Sequence, residues 1–309
     1  MERLKQLYKE YTGHEAEACS SLTPAGSPRR YYRLSAGQHT AVGVVGTALG
    51  ENEAFVAIAQ QMRLKGLPVP EVYAISADGM CYLQEDLGDT SLFDLIAEAH
   101  KRGGYDEADM ELLRQVMRLL PDVQWRTAEQ FDFTHCYPSA ELNRRGIQWD
   151  LHYFKYCFLK ATGLEFEEEH LEDDFDRMSE VLLQECADTF MYRDFQSRNI
   201  MIRDGKPWLI DFQGGRRGPA EYDLVSFLWQ ARARFTPEMR RELIEEYLQS
   251  ARRYRSFDEE VFAQRLQYFV LFRTLQVLGA YGYRGYFEHK AHFVQSIPMA
   301  IDNLRALLA

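Results

Sequence analysis

The chain has no C-x-x-C pair, and its five cysteines, Cys19, Cys81, Cys136, Cys157 and Cys186, are few and scattered. An odd, dispersed set argues against a disulfide framework and against a zinc site, and it suits a reducing compartment. No apolar core follows Met1-Glu2-Arg3-Leu4-Lys5, so the start does not read as a secretory signal. Long hydrophobic runs are missing as well. The longest weakly apolar stretch, near residues 40–50, is far short of the roughly 20 residues a membrane helix needs. A soluble, cytoplasmic protein is expected, with no membrane partner. Basic blocks are also scarce. The net charge is −11, and Arg216-Arg217 and Arg252-Arg253 are short clusters that read as solvated surface. Nucleic acid is therefore excluded as a partner. No G-x-x-x-x-G-K-[ST] occurs, which excludes a P-loop. There is no internal repeat.

What is present is a globular composition, with 46% hydrophobic and 27% charged residues in 309, long enough for two lobes. Residues 1–12 read as a short helix. Residues 17–24, 30–35 and 41–47 read as strands separated by Gly and Pro punctuation. Residues 51–65 have helical periodicity, with Phe55, Ile58, Ala59 and Met62 on one face. Two further short strands, 71–75 and 80–84, flank an Asp78-Gly79 turn. From residue 89 onward the pattern is mainly helical: 90–101, 106–129, 149–162, 174–187, 222–235, 237–254, 258–280 and 294–308. One hairpin interrupts it, with Ile200-Met201-Ile202 and Trp208-Leu209-Ile210 joined by Asp204-Gly205. The fold class expected is α+β. A small antiparallel β-sheet lobe with one helix occupies residues 1–85, and a large, mainly helical lobe occupies residues 86–309. The acidic run at residues 165–174 reads as a solvated face.

The chemistry concentrates around that hairpin. Asp194 and Asn199 lie in the loop before it, and Asp211 follows its second strand. A hairpin folds the chain back, so two carboxylates and a carboxamide can converge. Mg²⁺ takes hard oxygen ligands, commonly one or two carboxylates completed by phosphate and water. Asp211 and the Asn199 side-chain oxygen can supply these. Asp194 is then free to orient a substrate hydroxyl and accept its proton. Taken singly, each of these residues reads as a turn cap or a strand-end ion pair. The full order Arg-Asp-x4-Asn, hairpin, Ile-Asp-Phe is far more specific.

These segments resemble the aminoglycoside phosphotransferase and choline kinase superfamily, which has a protein-kinase-like fold. They are most similar to its bacterial kinases of N-acetylmuramate and N-acetylglucosamine, which phosphorylate the anomeric hydroxyl in cell-wall recycling. Tyr192 to Met201, Ile210 to Gln213 and residues 218–226 carry the likeness in the larger lobe. Residues 26–33 and 85–88 carry it in the smaller. The resemblance implies an ATP- and Mg²⁺-dependent phosphotransferase acting on an alcohol, with a sugar or amino sugar as acceptor. It makes residues 25–33, with Ser27, the loop over the phosphates. Glu85 and Leu87 become the adenine-binding hinge, and Asp223 a buttress of the catalytic loop.

Two departures stand out. Tyr192 replaces the usual His before the Arg-Asp pair. No Lys occurs in residues 39–47, where the third strand normally carries one to hold the ATP phosphates beside a helix Glu. Glu53 is the candidate helix partner, and Arg30 or Arg33 is expected to supply the missing charge. They are three residues apart on one strand, so they point opposite ways and only one can serve. Trp149, His152 and Tyr153 are candidate walls of the acceptor pocket, with core packing as the alternative. Gln196, Arg198 and Gln213 are candidate hydrogen-bonding partners of the acceptor. Three alternatives stay open: an aminoglycoside-, choline- or homoserine-type acceptor, a nucleotide-binding regulatory protein with little catalysis, and a purely structural module.

Overall fold

The computed structural model describes residues 1–22, 29–184 and 188–308. Helix α1 (Glu2–Thr12) buries Leu4, Leu7 and Tyr8, one stripe at helical spacing, and stops at Gly13, whose φ of 75° suits a residue without Cβ. Strands β1 (Ala18–Leu22), β2 (Arg30–Ala36) and β3 (His39–Val45) follow. Helix α2 (Leu49–Leu64) then precedes β4 (Val72–Ile75) and β5 (Cys81–Gln84). The five strands form one antiparallel sheet in the order β1-β2-β3-β5-β4.

Strand alternation divides this sheet into two faces. Leu34, Ala36, Ala41 and Leu83 pack on α1. Val42, Val44 and Tyr82 turn the other way and join Phe55, Ile58, Ala59 and Met62 of α2 in a core continuous with the rest of the molecule. Tyr31 and Arg33 lie directly across from Val44 and Val42. Odd-numbered β2 residues therefore face α2, and Arg30 faces the α1 side.

The larger lobe begins with α3 (Leu92–Lys101) and α4 (Glu107–Pro121). Each starts in a reciprocal capping box, Ser91 with Asp94 and Asp106 with Asp109. Helices α5 (Arg144–Phe154) and α6 (Glu168–Leu182) lead to β6 (Thr189–Met191), β7 (Ile200–Arg203), β8 (Lys206–Leu209) and β9 (Arg216–Gly218). The chain closes with α7 (Ala220–Leu228), α8 (Pro237–Ala251), α9 (Glu259–Gly282), α10 (Ala291–Val294) and α11 (Ile297–Leu308). The β7–β8 hairpin turns through Asp204 and Gly205 at φ 52° and 69°, as its Asp-Gly sequence requires. Strands β6 and β9, a short pair with no counterpart in the sequence reading, frame the hairpin.

Three boundaries differ from expectation. Helix α5 starts at Arg144 because the Asn143 side chain accepts the Gly146 N–H. Helix α6 starts inside the acidic run, where carboxylates favour a helix N-terminus. Its Glu168 and Glu172 hold the buried Lys155 at 2.5 Å each. Helix α7 ends at Leu228, well short of residue 235. Helix α9 approaches the turn after α5 backbone to backbone. A Cβ on Gly279 would lie 2.8 Å from the Phe154 nitrogen, and one on Gly282 2.2 Å from the Cys157 carbonyl oxygen. That closeness lets α9 side chains reach the catalytic loop. Among the described residues no helix is long and apolar enough to cross a membrane.

Candidate active site

The loop after β6 carries Tyr192, Arg193 and Asp194, and it is pinned from both sides. Asp223, buried near the start of α7, accepts the backbone N–H groups of Tyr192 at 2.7 Å and Arg193 at 2.9 Å. Arg193 sits at φ 76°, a conformation costly for a non-glycine residue and held here by its surroundings. Tyr192 is fully buried, and its hydroxyl donates to the Ile210 carbonyl at 2.5 Å. The tyrosine in the usual histidine position thus ties the catalytic loop to the segment carrying Asp211.

Asn199 donates its Nδ2 to the Asp194 carbonyl at 2.8 Å, which leaves its Oδ1 as an oxygen donor. The Asn199 carbonyl accepts the Ile210 N–H at 3.0 Å and so brings the far end of the hairpin back to the loop. Asp211 follows at φ 68°, and its Oδ1 accepts Gln213 Nε2 at 2.8 Å. Burial raises the Asp211 carboxyl above its ordinary range. The Gln213 amide and the charges of Arg29 and Arg198 oppose this, and the charge of Asp194 adds to it. The hairpin has brought Asp194, Asn199 and Asp211 to one place. Two oxygen donors beside a free carboxylate fit a Mg²⁺ completed by phosphate oxygens. Among the described residues no group of three or more His, Cys, Asp or Glu side chains could hold a metal alone.

Asp194 is 44% exposed, with Arg273 Nη2 3.8 Å from its Oδ1. Arg273 comes from α9 and is held by Ser226 Oγ at 3.2 Å and Gln276 Oε1 at 2.5 Å. Gln276 also accepts the Tyr222 hydroxyl and donates to Asp150, which pairs with Arg193 at 3.2 Å. This buried network rigidifies the loop and was not visible in the sequence. Residues on α5 and α9 are far apart in the chain, and an Arg in a helix reads as surface.

Arg273, which faces Asp194, lines a cavity of about 310 Å³ together with Phe93, Gln196, Arg198, Trp229, Arg232 and His292 among others, and among the described residues no Asp or Glu lines it, Asp194 included. Gln213 does not line it, and its buried Oε1 accepts no hydrogen bond from a described residue. Trp149 and His152 are placed elsewhere. Trp149 is 61% exposed, and His152 faces Glu172 of α6 at 2.9 Å. Neither lines this cavity. The acidic run also lies away from it, on α6.

The expected nucleotide contacts are placed unevenly. Ser27 lies outside the described residues. Glu85 uses its side chain on Arg203 at 2.5 Å and its N–H on the Glu71 carbonyl at 2.8 Å, and Leu87 is buried. Arg30 is exposed on the α1 side. Arg33 faces the correct side, but Asp86 at 2.6 Å and Asp89 at 2.8 Å hold it. Glu53 is exposed on α2. On the α2 side of the sheet the buried Arg29 pairs with Glu51 at 3.2 Å.

The buried Asp223 gives a pH signature. Burial lifts its carboxyl to about 7, against the Tyr192 and Arg193 N–H donors, which lower it. A folded pKa above the unfolded value of about 4 means that the native chain holds the extra proton between them. Its contribution to stability is then full below that window and is lost as pH rises to about 7. Asp223→Asn is expected to flatten the fall in unfolding free energy between pH 5 and 7 by up to ~1.4 kcal/mol per pH unit. Urea titrations at several pH values check this, and parallel slopes for parent and variant contradict it.

A small strand lobe over a helical lobe, with this loop and hairpin between them, defines a small-molecule phosphotransferase of kinase-like fold. Residues 23–259 match the family model described as the phosphotransferase enzyme family, APH, and the chain belongs to that family. It is 26% identical to the N-acetylmuramate/N-acetylglucosamine kinase of Neisseria meningitidis serogroup B over 90% of this chain and 81% of that one. The kinase of the same name from Pseudomonas aeruginosa is also 26% identical, over 67% of this chain and 59% of its own. Among solved structures, ADP-bound aminoglycoside phosphotransferase APH(2'')-Ib aligns over 96% of this chain and 97% of its own, with a TM-score of 0.64 and 14% identity. Choline kinase from Cryptosporidium parvum Iowa II aligns over 97% and 91%, with a TM-score of 0.63 and 12% identity. These two likenesses speak to fold alone.

Proposed function

We propose that the chain transfers the γ-phosphoryl group of ATP to a hydroxyl of a sugar or amino sugar of the N-acetylmuramate and N-acetylglucosamine type, with the anomeric hydroxyl as the leading acceptor. Asp194 orients the hydroxyl and takes its proton as the new oxygen–phosphorus bond forms and the bond to the ADP oxygen breaks. Asp211 and Asn199 Oδ1 would hold Mg²⁺, which when bound supplies charge neutralisation at the phosphates. The nucleotide lies between residues 1–85 and 86–309, the two lobes in this reading. An anomeric hydroxyl is more acidic than an ordinary alcohol, so a carboxylate is a sufficient base.

One observation carries the choice of acceptor. The cavity that Arg273 opens next to the Asp194 loop has arginines 198, 232 and 273 and His292 in its lining and, among the described residues, no carboxylate. A cationic aminoglycoside or choline would meet like charge there, at a cost of several kcal/mol. A neutral or acidic sugar would not, and Trp229 and Phe93 suit the apolar face of a sugar ring. Gln196 and Arg198 line the same space. ADP release measured with Mg-ATP and a panel of acceptors tests this. N-acetylmuramate or N-acetylglucosamine is expected to exceed choline and aminoglycosides by about 10²-fold or more in kcat/KM. The reverse order contradicts the assignment.

A further inference from the structure

The third strand of this sheet offers no cation to the nucleotide. Its cleft-facing positions are Val42 and Val44, and the next position on that face, just past the strand, is Gly46. A side chain cannot be placed at Gly46, because a Cβ there would lie 2.2 Å from Asn52 Nδ2. Asn52 is itself fixed by donating to the Gly79 carbonyl at 2.9 Å. A positive charge for the phosphates must therefore come from another element.

Register supplies the element. Arg30 pairs with Val45, so Arg29 stands opposite Gly46 and on the same face as Tyr31, Val44 and Tyr82. The space beside the glycine is taken by the Asn52 amide, and the Arg29 side chain runs to the first turn of α2. The guanidinium is 1% exposed and lies 3.2 Å from Glu51 Oε2, in the first turn of α2. It shares a hydrogen bond with Tyr31, and Tyr31 stands in the field of Asp211. The charge of Arg29 itself falls on Asp211. A buried guanidinium is thus held by a helix carboxylate, directly after residues 23–28 and within electrostatic reach of the carboxylate assigned to the metal.

We propose that Arg29, clamped by Glu51, is the cation that grips the ATP phosphates in this protein, and that the role has crossed the ladder from β3 to the residue before β2. The geometry replaces both earlier candidates. Arg30 faces away, and Arg33 is consumed by the two hinge aspartates. A guanidinium suits the transferred role, since its planar fork can hold the carboxylate with one edge and phosphate oxygens with the other. The inference rests on the nucleotide reading of the cleft.

The test is direct binding of Mg-ATP by calorimetry, with steady-state KM for ATP and for the acceptor, in the parent, Arg29→Met, Arg29→Lys and Glu51→Gln. A parent that binds no ATP overturns the nucleotide reading, and the proposal with it. If the parent binds, Arg29→Met is expected to weaken ATP about 10- to 100-fold, with the acceptor KM changed less than about twofold. Arg29→Lys and Glu51→Gln should each give smaller losses in ATP affinity, and Glu51→Gln should add little on top of Arg29→Met. Because Arg29 is buried, circular dichroism accompanies each variant. If Arg29→Met fails to fold, Arg29→Lys and Glu51→Gln decide the matter. Unchanged ATP affinity in the folded Arg29 variants, or in Glu51→Gln together with Arg29→Lys, overturns the proposal while leaving the kinase assignment standing.

Discussion

Replacing Asp194 with alanine lowers kcat by about 10²- to 10⁴-fold, the range for a positioned general base, and leaves the fold and ATP affinity nearly intact. The expectation follows from what Asp194 does and does not touch. Its carbonyl, not its carboxylate, anchors Asn199. The loop is held by Asp223 and by the Tyr192 hydroxyl. The carboxylate is 44% exposed, and its nearest cation is Arg273 at 3.8 Å, too long for a strong ion pair. Removing it takes away the proposed proton acceptor and little else. Arg273 keeps Ser226 and Gln276 as partners, so its charge is not stranded. ADP release coupled to NADH oxidation, with a thermal melt of the same sample, gives both quantities. Activity within tenfold of the parent would remove Asp194 from the chemistry.

The second large effect belongs to Asp211→Asn. Asparagine tolerates the φ of 68° found here, and its carbonyl oxygen can still accept from Gln213. Geometry and hydrogen bonding are thus retained, and only the negative charge is lost. The proposed Mg²⁺ site, one carboxylate and one carboxamide, then becomes two carboxamides. Half-maximal activation is expected at a Mg²⁺ concentration higher by tenfold or more, and kcat should fall about 10²- to 10³-fold. Asp211→Ala is a poorer probe, because alanine at that φ adds backbone strain of roughly 1–2 kcal/mol. An Asp211→Asn enzyme with an unchanged Mg²⁺ titration would assign the metal to other residues.

Much of this was legible in the sequence. Helix α2, the sheet strands and the β7–β8 hairpin rest on local periodicity and on Asp-Gly turns, which a single sequence displays. The convergence of Asp194, Asn199 and Asp211 was legible because the three lie within one short segment and a hairpin folds that segment on itself. Features that depend on distant packing were not. Strands β6 and β9 are three residues each and pair across the whole catalytic segment. Arg216 therefore looked like surface, although it is buried and bonded to the Gly214 carbonyl and Ser139. Gln276 and Arg273 reach the site only because Gly279 and Gly282 let α9 approach the turn after α5. Trp149 looked like a pocket wall because aromatic spacing on a helix does not reveal which side a neighbour covers. The choice between Arg30 and Arg33 had the correct rule, strand alternation. Extending it one residue back to Arg29, and asking which partners each arginine already holds, required coordinates.

The measurement that bears most directly on the account is ³¹P NMR of the protein with Mg-ATP and N-acetylmuramate. The account predicts loss of the ATP γ-phosphate signal together with growth of ADP and of a phosphomonoester resonance coupled to the sugar's anomeric proton. ADP accompanied only by inorganic phosphate, or unchanged ATP signals with N-acetylmuramate while a parallel sample holding a cationic acceptor in its place converts ATP to ADP and a new phosphomonoester, would contradict it.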